Sequence, residues 1–382
     1  MGRSHAHPML LDALDLGVRP AGPQDNDGLV ALAAACPMHA DVSVCIRRDP
    51  DFFALSRLEG ERWTVGVVDG PGSEPVGCIA AAERLAWVRG APTRTGYVGD
   101  LKVHPLHRGR GVADALVRYA RAACAEIGED VPCLLAALAG NRAVARRVRG
   151  PRGAPALTPF AVVRSWSVPL LWARGSHPPA DLVVHRAGAG DAEEMADLWR
   201  TVAPGRQFAP VLDAEDFGTS LAGAPTPDVG SYWIARRRGS NRLAGFVALW
   251  DQSGFKATHV LRYSLPAAAF RRAFNAAALL LGAPRLPPAG GALRYATAFH
   301  LCVPMDEPAT LRALLLVAGA ELRRAGYPLL AVGLDRRDPL ARALAGLGAF
   351  GTDIRAYVTT PGGRYAGPPL DDRPLHYETA LV

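Results

Sequence analysis

The chain has almost no lysine. Lys102 and Lys256 are the only two, although Lys and Arg together number 43. The formal net charge of +7 therefore comes from arginine, which is spread along the chain beside Ala, Gly and Pro. Its densest groups are not interleaved with the aromatic residues that stack on bases. We interpret this charge as a compositional bias and expect no nucleic-acid partner.

The chain also lacks a long apolar run and paired cysteines. The longest apolar run, around residues 276–283, is far shorter than the ~20 residues that span a bilayer. No charged segment followed by an apolar stretch and a cleavage site opens the chain, so we expect neither a secretory signal nor a membrane partner. The six cysteines have no C-x-x-C spacing, which indicates buried free thiols in the reducing cytoplasm and no metal site.

The order of the predicted elements indicates two domains, as the length of 382 residues also does. A short strand, a helix opened by an aspartate, a hairpin, a further strand, a helix and an apolar strand occur twice. The repeat predicts a leader over residues 1–15, which we expect to be disordered, and a first domain over 16–174. It also predicts a linker over 175–181 and a second domain over 182–382.

Residues 98–113 are the most informative segment. An apolar strand runs through Leu101 and Val103 to a proline, and then through Arg-Gly-Arg-Gly into an amphipathic helix. Two glycines at such a junction let backbone N–H groups turn toward a ligand without a Cβ in the way. The helix N-terminus adds unsatisfied donors and a positive dipole end. The segment therefore predicts a site for a phosphate or pyrophosphate.

The segment resembles the acyl-CoA loop of the GNAT superfamily of N-acyltransferases, whose pattern is Arg/Gln-x-x-Gly-x-Gly/Ala. Arg108, Gly111 and Ala113 match this pattern, and Val103-His104-Pro105 matches the Val-x-Pro that precedes it in the family. A P-loop would need Gly-Lys-Ser/Thr, and a dinucleotide fingerprint would need a third glycine that this helix does not have.

The resemblance implies an α/β (α+β) fold of two GNAT-like domains. Each would have a mixed, mostly antiparallel central sheet that splays between its fourth and fifth strands and is flanked by helices. It also implies that the first domain binds acetyl-CoA, or another acyl-CoA, as co-substrate. The residues assigned to this cofactor are Leu101, Lys102, Val103, Arg108, Gly109, Arg110, Gly111, Val112, Ala113 and Asn141.

The family's reaction needs an attacking amine that has lost a proton to a general base or an ordered water. The resemblance offers Asp100 as base or as an anchor for the amine. The alternative is that Asp100 pairs with Lys102 or an arginine and only shapes the site. Tyr97, on the opposite face of the strand, is the second catalytic candidate. The family's general acid, a tyrosine seven residues after Asn141, is replaced by Val148, so thiolate release would rely on water or another hydroxyl.

The second copy departs from the pattern where the first copy has its loop. An ungapped alignment puts Pro308 and Leu311 opposite Arg108 and Gly111. Proline has no N–H to donate, leucine would fill the phosphate space, and the preceding Asp306-Glu307 would repel a pyrophosphate. We therefore expect the second copy to be degenerate and to bind no CoA.

The second copy also carries a histidine, His300, at the position that Asp100 has in the first copy. The expectation is a buried, hydrogen-bonded core histidine, and the alternative is a functional group that titrates near neutral pH.

These observations predict an acyltransferase that moves an acetyl or other acyl group from CoA to a primary amine by direct attack. The alternative is a non-catalytic acyl-CoA-binding or protein-interaction module, which the missing tyrosine and the degenerate second copy leave open. The acceptor is expected to be a small-molecule or peptide amine. The sequence distinguishes neither these acceptors nor the oligomeric state.

Overall fold

The computed structural model describes residues 16–141, 144, 157–171, 178–218, 226–365 and 367–381. The helices are α1 (Asn26–Ala35), α2 (Ser56–Glu59), α3 (Val112–Ala125), α4 (Ala192–Val202), α5 (Ala214–Gly218), α6 (Leu265–Leu280) and α7 (Pro308–Arg324). The strands before residue 170 are β1 (Arg19–Pro20), β2 (Val42–Arg47), β3 (Arg62–Asp69), β4 (Pro75–Val88), β5 (Ala91–Val103), β6 (Cys133–Leu138) and β7 (Thr158–Pro169).

The later strands continue the same numbering. They are β8 (Leu182–Arg186), β9 (Ala209–Pro210), β10 (Tyr232–Arg237), β11 (Leu243–Trp250), β12 (Ala257–Tyr263), β13 (Ala292–Leu293), β14 (Tyr295–Cys302), β15 (Leu329–Asp335), β16 (Phe350–Thr360) and β17 (Gly363–Arg364). The leader over residues 1–15 and residues 175–177 of the expected linker lie outside the described residues.

One continuous sheet runs through the molecule in the order β1-β3-β4-β5-β6-β16-β7-β15-β14-β11-β10-β8. Its two ends have the same plan, because β1, β3, β4, β5 and β6 at one end correspond in order to β8, β10, β11, β14 and β15 at the other. Most of its strand pairs are antiparallel, and the exceptions on this path are β5 with β6 and β14 with β15. The predicted α/β (α+β) class is confirmed.

The two halves exchange their last strands at the centre of this sheet. Strand β7 from the first half pairs with β15 and β16, whereas β16 from the second half pairs with β6. The hydrogen-bonded pairing therefore crosses the predicted boundary between 16–174 and 182–382 in both directions. That division of the chain stays a prediction.

A second, three-stranded sheet has the order β13-β12-β2. It joins β2, from the segment between α1 and α2, to β12 and β13, which flank α6 in the sequence.

Helix α3 packs on β4 because its apolar residues return to one face every three or four positions. Val112, Leu116 and Ala120 are all buried. Gly77 on β4 permits this approach, because a Cβ there would lie only 2.6 Å from Val112 Cγ1. The packing fixes the N-terminus of α3 at the end of β5.

Candidate functional site

Strands β5 and β6 lie side by side over only part of their length. The parallel register runs from Gly96 opposite Cys133 to Val98 opposite Leu135 and then ends. Residues 99–103 still pair with β4 along one edge, and no strand of the described ranges pairs with their other edge. Leu101, Lys102 and Val103, which the sequence analysis assigned to the pantetheine arm, lie on this open edge. The splay that was expected between the fourth and fifth strands of a domain is therefore present in the first half, where these strands are β5 and β6.

A β-bulge lies in β5 at the point where the strands part. Cys78 pairs with Lys102 and Ala80 pairs with Gly99, so Asp100 and Leu101 face a single residue of β4. Asp100 has a φ of 52°, a left-handed conformation that non-glycine residues seldom adopt. The bulge turns Asp100 out of the regular alternation of β5.

The loop after β5 presents backbone donors at the start of α3. Gly109 and Gly111 have φ values of 77° and 83°, which glycine adopts without the steric cost of a Cβ. In the described part of the chain, none of the N–H groups of residues 109–113 donates to a carbonyl or a side chain. A Cβ on Gly109 would meet no atom within 4 Å. Arg108 ties the loop to β5, because its Nε donates to Val103 O at 3.1 Å.

Asp100 is held between two cations. Arg48 Nη1 lies 3.0 Å from Asp100 Oδ2, and Lys102 Nζ also contacts the carboxylate. The Arg48 side chain is only 3% exposed, and its Nη2 donates to Phe52 O at 2.6 Å. Burial disfavours the Asp100 charge, but Lys102 and Arg48 outweigh it and keep the pKa of Asp100 below its ordinary range. The alternative interpretation of Asp100 was that it pairs with Lys102 or an arginine and only shapes the site. Both of these ion pairs are present.

Glu59, at the end of α2, is a buried carboxyl that the sequence analysis missed. Burial raises its pKa to about 8, and the nearby Asp100 acts in the same direction. Lys256 is buried close enough to this cluster to interact with the charges of Glu59 and Asp100, and burial lowers its pKa to about 7. Its Nζ donates to Ala380 O at 3.0 Å. Glu59 lies in a short polar sequence that is typical of a surface turn, so no local signal indicated its burial.

Tyr97 is also part of this cluster, which corrects one expectation. Strand alternation placed Tyr97 and Asp100 on opposite faces, but the bulge interrupts the alternation, and Tyr97 is affected by the charges of both Asp100 and Glu59. Burial raises the pKa of Tyr97 well above its ordinary value. Its ring lies over Gly99, where a Cβ would be 2.8 Å from Tyr97 Cε1. Tyr97 is therefore a neutral hydroxyl at ordinary pH.

Asn141 follows β6 in a tight turn. Its backbone N–H donates to Leu138 O at 2.9 Å, and its Oδ1 accepts from Val144 N at 3.2 Å. The Asn141 side chain is therefore hydrogen-bonded to the backbone that follows it. Val148, at the position of the family's general acid, lies outside the described residues.

The second half repeats the splay and the bulge. Strands β14 and β15 pair from Tyr295 opposite Leu329 to Thr297 opposite Ala331 and then separate. Phe246 pairs with Cys302 and Ala248 pairs with Phe299, which leaves His300 in the bulge. The expectation that His300 corresponds in position to Asp100 is confirmed.

The chain's own C-terminal segment occupies the splay of the second half. His300 N donates to Glu378 Oε1 at 3.0 Å, and Leu375 N donates to Asp335 Oδ2 at 2.7 Å. A Cβ on Gly333 would lie 2.4 Å from Thr379 Cγ2. Residues 375–379 therefore lie between β14 and β15, where the first half has an open strand edge.

The ungapped alignment of the two loops was wrong by four residues. Helix α7 begins at Pro308 with Glu307 as its N-cap, so Glu307 corresponds to Gly111, the N-cap of α3. Leu311 is one turn inside α7 and fully buried in the core, because the loop of the second half is shorter. Glu307 accepts from Thr310 Oγ1 at 2.6 Å and pairs with Arg237. The missing N–H of Pro308 and the carboxylate of Glu307 remain obstacles to a phosphate.

Comparisons with known proteins agree with this geometry. Residues 18–142 match the family model described as an acetyltransferase (GNAT) domain. No curated protein matches the chain by sequence.

Several solved structures resemble nearly the whole chain. Saccharomyces cerevisiae N-myristoyltransferase with bound myristoyl-CoA has a TM-score of 0.59 at 11% identity, over 97% of this chain and 90% of that one. A GCN5-related N-acetyltransferase from Sphaerobacter thermophilus has a TM-score of 0.57 at 16% identity, over 95% of this chain and 99% of that one. Residues 18–142 therefore match a GNAT acetyltransferase domain, and the whole chain shares the fold of these two structures.

Proposed function

We propose that the protein is a CoA-dependent N-acyltransferase with one active site, in the first of two GNAT-like halves. The observation that carries this proposal is the row of unpaired N–H groups of residues 109–113, which stands at the N-terminus of α3 beside the open edge of β5. Donors that converge at a helix N-terminus suit a pyrophosphate. The adjoining strand edge suits the amide groups of a pantetheine arm.

Each cofactor residue then has a defined role. The N–H groups from Gly109 to Ala113 would bind the pyrophosphate, and the guanidinium groups of Arg108 and Arg110 would add positive charge beside it. The backbone of residues 101–103 would pair with the pantetheine arm, and Asn141 would hydrogen-bond the arm from its other side. Acetyl-CoA is the proposed acyl donor, and another acyl-CoA is the alternative.

The acceptor is proposed to be a primary amine of a small molecule or peptide. Its nitrogen attacks the thioester carbon, a C–N bond forms, the C–S bond breaks, and the CoA thiolate leaves and takes up a proton from water. Asp100 stays ionised at neutral pH, which suits an anchor for the ammonium form of the amine. Because its pKa is low, Asp100 is a weak proton acceptor.

Glu59 is better matched to the proton transfer. A base works best when its pKa lies near the operating pH, and the pKa of Glu59 is raised to about 8. We therefore propose that Glu59 accepts the proton of the attacking amine, directly or through a water, and we keep Tyr97 as the second candidate for this role. The six free cysteines fit a reducing compartment such as the cytoplasm, where CoA is used.

The second half is proposed to support the first and to bind no CoA, since residues 375–379 lie in its splay. In this proposal it shapes the acceptor side of the site through Lys256 and the segment that ends at Ala380.

The test is the release of CoA from acetyl-CoA, followed with a thiol-reactive dye, with panels of small amines, peptides and aminoglycosides. Amine-dependent thiol release, with the acylated amine identified by mass spectrometry, would support the proposal. Tight acetyl-CoA binding without thiol release for any amine would favour the non-catalytic acyl-CoA-binding module.

A further inference from the structure

Helix α6 presents an apolar face to solvent. Leu265, Leu279 and Leu280 are 89%, 64% and 86% exposed. Only Phe274 and Ala278 of this helix are buried, so α6 is attached to the body of the protein by a narrow strip. Isolated exposed leucines are ordinary on protein surfaces, but these three lie on one helix, near its two ends.

The exposed residues follow the helical repeat. Leu265, Ala269, Ala276 and Leu280 are separated by about one or two turns and fall on one side of α6. The intervening residues on this side are exposed alanines, and the charged residue among them is Arg272. Phe270 extends the patch toward β16, because its ring lies 5.1 Å from that of the partly exposed Phe350.

The stretch of sequence that carries this patch has charge of one sign. Between Asp251 and Asp306 the sequence contains no Asp or Glu. Four exposed arginines lie in this stretch, namely Arg262, Arg272, Arg285 and Arg294. The end of α7 brings Arg323 to the C-terminus of α6, where its Nη2 donates to Gly282 O at 3.1 Å.

The acidic residue that contacts α6 is Asp41, at the helix N-terminus. Ser264, the N-cap of α6, donates its N–H to Asp41 O at 2.7 Å. This contact is at one end of the helix. Along the leucine and alanine face itself, the charged residue is Arg272.

We propose that α6 binds in the plane of an anionic lipid bilayer, with its leucine face in the acyl boundary and its arginines at the phosphate groups. A helix with one apolar face, flanked by cations and without acids, has the pattern of an interfacial helix. A second copy of the chain is a poorer occupant, because the arginines of two patches would face each other without carboxylates. Within the described ranges, no helix is both long and apolar enough to cross a bilayer. In-plane binding needs no such helix, but it departs from the expectation of no membrane partner.

The test is flotation of the full-length protein with vesicles of phosphatidylglycerol and phosphatidylcholine in equal parts, beside vesicles of phosphatidylcholine alone. We expect binding to the anionic vesicles that weakens as salt is added. Leu279→Ser/Leu280→Ser should reduce the bound fraction by at least about tenfold, and Arg272→Gln/Arg285→Gln by a smaller factor. Leu85→Ser, at a leucine that is 37% exposed on β4, is the matched control and should bind as the parent does.

The substituted side chains of α6 are exposed, so thermal unfolding of each variant should match that of the parent. Failure of the parent to float with anionic vesicles would overturn the proposal, as would equal binding by the leucine variant. Concentration-dependent dimerisation that the same leucine variant abolishes, without vesicle binding, would assign the patch to a second copy instead. Vesicle binding should survive Gly111→Asp, so this result is independent of acyl-CoA binding.

Discussion

Asp100 and His300 occupy the same position in the two halves of the molecule, with φ values of 52° and 47° in equivalent β-bulges. Their surroundings make them chemically opposite. Asp100 is ionised between Arg48 and Lys102. His300 is buried, bonds Tyr232 Oη through Nδ1 at 2.7 Å, and has a pKa that burial lowers to about 4. One half therefore keeps a charged carboxylate in the bulge beside an open strand edge, and the other keeps a buried, uncharged imidazole at that position.

The glycine loop gives the first prediction. Gly111→Asp should weaken acetyl-CoA binding by more than about tenfold, because it places a carboxylate at the positive end of α3 and a Cβ at a left-handed position. Calorimetry measures the affinity. The matched control is Gly346→Asp, which has a similar φ of 72° and equally open surroundings in the second half. Equal affinities of the two variants would remove the acyl-CoA assignment of this loop.

The second prediction concerns stoichiometry. Titration of the full chain with acetyl-CoA should saturate at one molecule per chain, because the splay of the second half holds residues 375–379 and Glu307 places a carboxylate at the N-terminus of α7. Isothermal calorimetry gives the ratio directly. A second site that survives Gly111→Asp would show that the second half binds CoA through another loop.

The third prediction is for Asp100→Asn. Turnover should fall further than acetyl-CoA affinity, by roughly 10-fold or more, because the ionised anchor for the amine is lost. Stability should fall by about 1–3 kcal/mol, because Arg48 stays buried without its counter-ion. Steady-state kinetics and urea unfolding measure the two effects.

Asp353→Asn is the control for this variant. Asp353 also lies between two arginines, 3.4 Å from Arg164 Nη1 and 3.1 Å from Arg336 Nη2, but it is on β16. The Asp353→Asn variant should have a lower free energy of unfolding than the parent and the same turnover. If Asp100→Asn kept turnover within about twofold of the parent, the carboxylate would only shape the site.

The fourth prediction uses the raised pKa of Glu59. Its pKa is about 8 in the folded protein against an ordinary value of 4.5, so the folded state binds a proton that the unfolded state has released. The stabilisation from this proton is complete below the ordinary pKa and is lost as pH rises toward about 8. Glu59→Gln removes the effect. When the pH is raised from about 5 to about 7.5, the free energy of unfolding of the variant should rise by about 1–3 kcal/mol relative to that of the parent.

Urea unfolding at both pH values measures this gain. Glu61→Gln, two residues away and exposed, is the control and should show no such change. Glu59→Gln should also lower turnover by about 10²-fold if Glu59 accepts the proton. A parent and variant with parallel pH dependence of stability would show that Glu59 is ionised in the folded state.

The glycine loop before α3 could be predicted from the sequence because its features are local. Gly109 and Gly111 mark left-handed positions, and the apolar repeat marks the helix that follows, so a short segment determines both the turn and its exposed donors. The layout of strands and helices followed from similar short-range patterns, as did the correspondence of Asp100 with His300. The second loop was predicted to depart from the pattern of the first, but the length difference between the loops displaced the alignment by one helical turn.

Tertiary structure decided what depends on distant segments meeting. The exchange of β7 and β16, the contact of Arg48 with Asp100, and the insertion of residues 375–379 between β14 and β15 all join positions far apart in the sequence. Burial of Glu59 is of the same kind, because a short polar turn carries no sign of what will cover it. Backbone preference and side-chain periodicity act over a few residues and are written in the sequence. A shifted pKa or a filled splay arises from packing between segments, which only the folded chain creates.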